Sequence, residues 1–497
     1  MDDALWGQSR AMPARGRGWS APVDMRDWGA FAHERGAIAG SEARFATSDA
    51  LRQRIFDAAQ EKIIGNLRDF GGRAVLVDGG GYNHMWLGAQ PMGGEMYAKQ
   101  NVEAALNNQL LFMEFARQDG RIPGSIRRVG GLPQPQFDKM QGFCFPQPAL
   151  NMYWWIGQDN RYLRFLADTL LRFDAYLWDR RDSNADGCLE SWCSSDTCEA
   201  NALRYGDAPE AWGSELPPRA SQSVPMASMG MMSYSFAIRA ALAKVFAILG
   251  EDGRAAAWRV KAGSVRKRMR ELLWDEARGA CFDRDSGGRK LYTLDHNNLR
   301  CMYMGSFTKD MASRFVERHL LNAEEFWTPM PLPTVAANDK LFRNKADKDW
   351  SGMPQGLTYQ RAIRALDNYG YARLLPRLAD RLFLAIGERG QFVKQYDTYT
   401  GRPSGGRNGY GPTVLAALEY IARLHGVHIE DGELHWGALG GANSEYSQFW
   451  RGREYAMACK DGRAAGFIDG RRVFEADAGV RVVTGMDGES PRYEPLR

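Results

Sequence analysis

An acid-rich segment in the first half of the chain combines residue types that could cleave a glycosidic bond. DSNADGCLESWCSSDTCEANALRYG carries Glu190, Asp196 and Glu199 beside Trp192 and Arg204. Glycoside hydrolysis with inversion requires two carboxyl groups that face each other across the sugar, roughly 6.5 to 9.5 Å apart. We therefore predict Asp196 or Glu199 as one catalytic group and expect its partner on a distant loop.

A second segment could supply that partner. QFVKQYDTYTGRPSGGRNGYGP follows about 200 residues later and places Asp397 next to Lys394, Tyr396 and Tyr399. Asp397 is the predicted opposing carboxylate, and Lys394 is a candidate base or electrostatic stabiliser if the aromatic loop lowers its pKa.

Each of these residues also has a structural interpretation. Asp196 and Glu199 could cap a following helix, and Asp397 could be a turn residue before Gly401. Lys394 could be an ordinary solvated lysine. The DSNADG stretch resembles half of a calcium loop, but its twelfth position is Cys193, so an Asx-rich turn is the favoured interpretation.

Aromatic and polar residues in long loops indicate a sugar-binding cavity. Sugar rings stack on indole and phenol rings, and their hydroxyls take polar partners. The candidate binding residues are Trp86, Gln90, Glu95, Tyr97, Arg127, Trp192, Arg204, His296, Asn298, Trp350, Gln355 and Tyr396. A satisfied buried polar network is an equally good interpretation of His296 and Asn298.

The elements that must position these loops are paired helices. From about residue 100 to 425, apolar segments alternate with amphipathic ones across short Gly- or Asp-marked loops, which predicts an inner apolar ring and an outer, half-exposed ring. RAVLVDGGGY predicts a strand before a Gly-rich turn, and GRAAGFIDGRRVFEADAGVRVVTG predicts a small sheet. The predicted division is an N-terminal segment over residues 1–75 packing on the barrel, a helical barrel over residues 76–430 and a β appendage over residues 431–497.

The order of motifs resembles the glycoside hydrolases of clan G, which include trehalases, family 63 α-glucosidases and mannosylglycerate hydrolases. The likeness covers roughly residues 75 to 430 and rests on DGCLE with its acid-rich loop, DWSGMPQG, QYDTYTG and YGPTVLAALEY. It implies an all-α fold, an (α/α)6 toroid, with an Asp general acid in the first loop and a Glu general base at the head of the last.

The two catalytic positions depart from that pattern. The register of the resemblance puts Ala200 at the acid position and Lys394 at the base position. The leading hypothesis is an inverting hydrolase of a small α-linked sugar that uses Asp196 or Glu199 with Asp397. The alternatives are a diverged lyase, isomerase or cyclase, and a sugar-binding pseudoenzyme with the same cavity.

Composition excludes several other classes. A net charge of +4 without a basic stripe argues against nucleic acid, and the absence of about 18 consecutive apolar residues argues against a membrane span. The N-terminus lacks a secretory pattern, so we expect a cytoplasmic protein. No nucleotide or zinc motif is present, and we expect no cofactor and no metal. Cys188, Cys193 and Cys198 lie five residues apart and are predicted to be free thiols.

Overall fold

Twelve α-helices dominate the described part of the chain. The structure is a computed structural model, and it describes residues 40–496 apart from the side chains of residues 347–349. Residues 1–39 of the predicted N-terminal segment therefore lie outside the described residues. The helices are α1 Ala50–Ile64, α2 Gln90–Tyr97, α3 Val102–Glu114, α4 Pro146–Trp155, α5 Asn160–Arg180, α6 Met229–Ile248, α7 Asp252–Leu272, α8 Asn297–Tyr303, α9 Lys309–Phe315, α10 Gly356–Asp367, α11 Leu375–Ile386 and α12 Gly411–His425.

Six of these helices form a closed ring. In the order α2, α4, α6, α8, α10 and α12, each packs on the next, and α12 returns to contact α2. Their residues are almost entirely buried, as the apolar segments predicted. The helices α1, α5, α7 and α11 pack against ring helices and expose one face, which matches the predicted alternation of apolar and amphipathic segments. The helix α3 also packs against the ring, but it is buried along almost its whole length.

Local capping explains where several helices begin. The side chains of Asp49, Asn101 and Asp159 accept hydrogen bonds from backbone N–H groups in the first turns of α1, α3 and α5. Ser228 and Thr308 do the same for α6 and α9. These caps satisfy N–H groups that have no partner within their own helix.

The ring helix α6 is unusually apolar. Among the described residues it is the one helix whose length and composition would suffice to cross a membrane, and 78% of its most apolar window is buried within the protein. A helix that is buried among other helices of a protein can meet the same criteria of length and apolar composition.

Strands form two antiparallel sheets beside the ring. These strands are β1 Ser41–Thr47, β13 Val427–Glu430, β14 Glu433–Ala438, β15 Ser444–Trp450, β16 Arg453–Lys460, β17 Arg463–Ile468, β18 Arg471–Asp477, β19 Val480–Thr484 and β20 Arg492–Pro495. One sheet has the order β1-β15-β16-β17-β18 and the other has the order β13-β14-β19-β20. The two sheets pack together, and β13 and β14 contact ring helices.

Shorter strands occur in the loops that join the helices. They are β2 Leu67–Asp69, β3 Ala74–Leu76, β4 Met85–Trp86, β5 Ser125–Val129, β6 Leu132–Gln136, β7 Glu190–Ser191, β8 Met226–Ala227, β9 Trp274–Asp275, β10 Ala280–Cys281, β11 Gln395–Tyr396 and β12 Pro403–Gly405. The strand predicted before the Gly-rich turn is β3.

The sheets correct two details of the predicted architecture. The prediction was an all-α toroid with a small C-terminal β appendage, and the β part is more extensive than that, because its two sheets contain nine strands with their own buried residues. The strand β1, which falls in the predicted N-terminal segment, pairs with β15 from Ser41 opposite Trp450 to Thr47 opposite Ser444. This part of the segment therefore belongs to the C-terminal sheet, while α1 packs on the ring helix α12.

Candidate functional site

A cavity of about 220 Å³ opens where several ring helices begin. Ala89 and Tyr410 immediately precede α2 and α12, and Leu357 lies in the first turn of α10. All three line the cavity, together with loop residues that include Gln141 and Ser195. The loops predicted to carry function therefore meet at one end of the helical ring.

Four aromatic side chains form much of the cavity wall, namely Tyr82, Trp86, Trp350 and Tyr410. The rings of Tyr82 and Tyr410 meet edge to face, with centroids 6.1 Å apart. Trp86 and Trp350 are predicted binding residues that lie at the cavity, and their binding role stays a prediction, whereas Tyr82 and Tyr410 were not predicted. The arrangement suits the apolar faces of a sugar ring.

The cavity also holds groups of both charges. Asp78, Lys139, Glu210 and Lys394 line it, and so does the exposed Ala200. The Lys394 Nζ atom lies 5.5 Å from the ring centroid of Tyr82 and 5.8 Å from that of Trp350. The structure thus brings together the two positions that the resemblance assigned to the catalytic acid and base, and neither carries a carboxyl group.

Asp78 is a cavity residue that the sequence analysis missed. It follows β3 and precedes Gly79, Gly80 and Gly81, which all adopt positive φ angles. Its side chain accepts a hydrogen bond from Gln90 Nε2 at 2.7 Å. The signal available in the sequence was the acid at the end of the predicted strand, directly before the Gly-rich turn.

Asp196 does not line the cavity. Its carboxylate forms a buried ion pair with Arg181 at 2.6 Å and accepts hydrogen bonds from the backbone N–H groups of Met140 and Trp192. Burial alone would raise the pKa of Asp196, but Arg181 and these donors hold it below its usual value. The predicted catalytic role is corrected to a structural one, in which Asp196 fixes the acid-rich loop.

Glu199 lies in a buried cluster around Arg204. The guanidinium binds Glu199 at 2.7 Å and Asp295 at 3.1 Å, and it also donates to Asp283. Burial would raise the pKa of Glu199, yet Arg204 and His296 hold it well below its usual value. Neither Glu199 nor Arg204 is among the residues that line the cavity, so their predicted direct roles are corrected.

His296 supports the cavity wall from behind. Its ring packs against that of Trp350 with centroids 5.5 Å apart, and its Nε2 atom lies 3.4 Å from Glu199 Oε1. Burial lowers the pKa of His296 to about 4, so the imidazole is neutral at pH 7. His296 therefore orients a cavity residue, although it was predicted to bind the sugar directly.

The sequence model of the Mannosylglycerate hydrolase MGH1-like glycoside hydrolase domain family matches residues 83–411. The chain belongs to this family. The matched region begins just before Trp86 and ends at the first residue of α12, so it contains Ala200 and Lys394 as well as most of the helical ring. The predicted resemblance to clan G glycoside hydrolases is confirmed, and the chain carries a glycosidase-like hydrolase domain.

Solved structures share the fold of the MGH1-like domain. The GH63 mannosylglycerate hydrolase from Thermus thermophilus in complex with glucose is 18% identical, with a TM-score of 0.59 over 74% of this chain and 99% of the other. The same enzyme in complex with Tris and D-glycerate gives 0.57 at 18% identity, over 75% and 99%. A sialidase gives 0.68 at 13% identity, over 93% of this chain and 44% of the other. No curated protein matches the sequence.

The second predicted segment of the MGH1-like domain divides between the cavity and a turn. Lys394 reaches the cavity, whereas the carboxylate of Asp397 accepts hydrogen bonds from Thr400, Tyr399 and Asn344. Tyr396 is fully buried and donates to the Gln391 carbonyl at 2.8 Å. The predicted catalytic role of Asp397 and the binding role of Tyr396 are therefore corrected to structural roles.

The remaining predicted binding residues do not line the cavity. Glu95, Tyr97 and Gln355 are buried. The Asn298 amide is bonded to the backbone of Cys281. Trp192 is buried with the Arg181 guanidinium 4.1 Å from its ring centroid, and Arg127 is exposed on β5. Gln90 lies behind the wall, where its Oε1 atom accepts from the backbone N–H of Trp86.

The structure also describes the predicted Asx-rich turn and the cysteine side chains. Oxygens of Asp182, Asn184 and Asp186 accept hydrogen bonds from nearby backbone N–H groups, as in an Asx-rich turn. Among the side chains that the structure describes, which leave out those of residues 347–349, no group of three or more His, Cys, Asp or Glu could hold a metal ion. All seven cysteines are free, which confirms the thiol prediction.

Proposed function

We propose that the MGH1-like domain hydrolyses a small α-linked, sugar-containing molecule in this cavity. The observation that carries the proposal is the meeting of an aromatic wall with Ala200 and Lys394, the positions that the register of the resemblance assigns to the catalytic acid and base. Family membership supports glycosidase-like chemistry. The Thermus thermophilus enzyme has been solved in complex with glucose and with D-glycerate, which supports a substrate of similar size.

Sugar release is the direct test. We expect the protein to release sugar from at least one of a panel containing α-glucosides, α-mannosides, trehalose, glucosylglycerate and mannosylglycerate. The proposal includes inversion, so proton NMR should show the β-anomer as the first product of an α-linked substrate. No release at high enzyme concentration would contradict hydrolysis, and an α-anomer as the first product would contradict inversion.

The aromatic wall supplies a matched test of the binding site. Replacing Trp350 with Ala removes a stacking surface from the cavity, and we expect sugar affinity measured by calorimetry to fall about tenfold or more, which corresponds to about 1.4 kcal/mol. Trp258, a buried core residue on α7, is the control. Its replacement by Phe should leave sugar affinity unchanged.

A second candidate function follows from the same cavity. Ala200 and Lys394 remove both carboxyl groups that the resemblance implies, which favours non-hydrolytic chemistry or sugar binding without turnover. The double variant Ala200→Asp/Lys394→Glu distinguishes the two candidates. Glycosidase activity in the double variant, combined with sugar binding but no turnover by the natural protein, would favour the second.

A further inference from the structure

We infer that Asp78 donates the proton to the leaving group, in place of the acid that is missing at Ala200. The inference rests on the proposed function and assigns a catalytic residue to the same cavity. Asp78 lies five residues before the region that matches the family model, so its role does not follow from that match.

The geometry of Asp78 suits proton transfer. Only 6% of the residue is exposed, and that part faces the cavity. Gln90 Nε2 donates to Oδ1 at 2.7 Å, while Gln90 Oε1 accepts from the backbone N–H of Trp86. Among the described side chains, which leave out those of residues 347–349, Oδ1 accepts this bond and none donates to Oδ2. One oxygen is thus held in place, and the other is available to a ligand in the cavity.

The surroundings of Asp78 keep a larger share of its carboxyl protonated near neutral pH than an ordinary aspartate would keep. Burial raises its pKa to about 6, against the opposing effects of Gln90, Lys394 and Arg361. Cys198 and Tyr410, which line the same cavity, also interact electrostatically with this carboxyl. Catalytic acids are commonly tuned in this way, because a proton donor works best when its pKa lies near the working pH.

Few other carboxyl groups could serve as the proton donor in this cavity. Asp196, Glu199 and Asp397 bind protein groups away from the cavity, as described above. Among the described side chains that line the cavity, which do not include those of residues 347–349, Glu210 provides the remaining carboxyl group, and this residue is exposed. We therefore place Asp78 on the leaving group and Glu210 on the attacking water.

Asp78 and Glu210 together complete the hydrolysis of one glycosidic bond by one water molecule. Asp78 gives its proton to the glycosidic oxygen, and the bond from that oxygen to the anomeric carbon breaks with its electron pair on the oxygen. The oxygen of a water molecule bonds to the anomeric carbon, and one water proton passes to Glu210. One glycoside and one water yield a free sugar and an alcohol, and solvent returns the proton from Glu210 to Asp78. Gln90 and Lys394 stabilise the Asp78 carboxylate in the interval.

Substrates with different leaving groups test this assignment. The probes are the methyl α-glycoside and the α-glycosyl fluoride of D-glucose and of D-mannose, because fluoride departs with little help from an acid. We expect Asp78→Asn to lower kcat on the methyl glycoside by about 100-fold to 10,000-fold, and on the fluoride by less than about tenfold. The natural protein should lose activity on the methyl glycoside as pH rises above about 6. Asp57→Asn, on the exposed face of α1, is the control and should be unchanged.

The outcomes separate this inference from the proposed function. Unchanged activity of Asp78→Asn on the methyl glycoside, or an equal loss on both probes, would overturn the proton-donor role. If the natural protein turns over neither these probes nor any glycoside of the panel above, hydrolysis fails and the proton-donor role fails with it, and carboxyl ¹³C NMR then tests whether Asp78 is still a titrating carboxyl that contacts a bound sugar. A resonance that titrates near pH 6, shifts when D-glucose is added and is lost in Asp78→Asn supports this sugar-contacting role, whereas a resonance that titrates near pH 4 contradicts it.

Discussion

The buried carboxyl of Asp78 has a consequence for stability. Its pKa is raised from 3.8 to about 6, so the folded protein disfavours its ionised form and the free energy of unfolding falls as pH rises from about 4 to 6. Asp78→Asn removes this penalty, and we expect it to stabilise the protein at pH 7.5 by up to about 3 kcal/mol, with little effect at pH 4. Urea unfolding at the two pH values measures the difference. Destabilisation at pH 7.5 would show that the ionised carboxyl is favoured instead.

The two acids with corrected roles differ in what they stabilise. Asp196→Ala leaves the Arg181 guanidinium buried without its carboxylate, and we expect the free energy of unfolding, measured in urea, to fall by about 3 to 5 kcal/mol.

Asp397→Ala removes turn hydrogen bonds at a more exposed position, and we expect the free energy of unfolding to fall by about 1 kcal/mol. A variant of Asp397 that keeps its stability but loses sugar turnover would restore the catalytic interpretation.

At the scale of elements, a buried ion pair closes the helical ring. Lys99 follows α2, and its Nζ atom lies 2.6 Å from Glu419 Oε2 on α12. Lys99→Met removes one charge-assisted hydrogen bond from the buried Glu419 carboxylate, which keeps its ion pair with Arg423, so we expect a loss of about 2 kcal/mol. In the double variant Lys99→Met/Glu419→Gln, the change Glu419→Gln should lower the free energy of unfolding by less than it does in the natural protein, because the two residues interact. Additive losses in urea unfolding would show that the pair is not coupled.

The sequence predicted elements better than individual contacts. Helix pairs were recognisable because apolar periodicity is local, and the two signature loops could be expected to meet because a ring of helices gathers its loops at its ends. The partners of Asp196 and Glu199 could not be foreseen, because Arg181 and Arg204 are two of many nearby arginines and only packing selects them. Asp78 was missed because a single acid beside three glycines resembles an ordinary turn.

At the scale of the whole molecule, Phe45 connects three parts of the fold. This residue of β1 packs against Phe56 of α1, His425 of α12 and Tyr446 of β15, with ring centroids 5.4, 5.7 and 6.5 Å away. Phe45→Ala should cost about 3 to 5 kcal/mol in urea unfolding. Leu384→Ala, at a position 64% exposed on α11, is the control and should stay within about 0.5 kcal/mol. Equal effects would contradict the connecting role of Phe45.

The pairing of β1 with β15 also sets an order of events during synthesis. Ser41 lies opposite Trp450, so the first described strand must wait for some 400 further residues to leave the ribosome before its neighbour exists. Contacts so distant along the chain form slowly, and an unpaired strand edge invites association with other chains. While the intervening residues are synthesised, a nascent chain therefore carries the β1 sequence without the strand that pairs with it, and during that interval its edge is open to other chains.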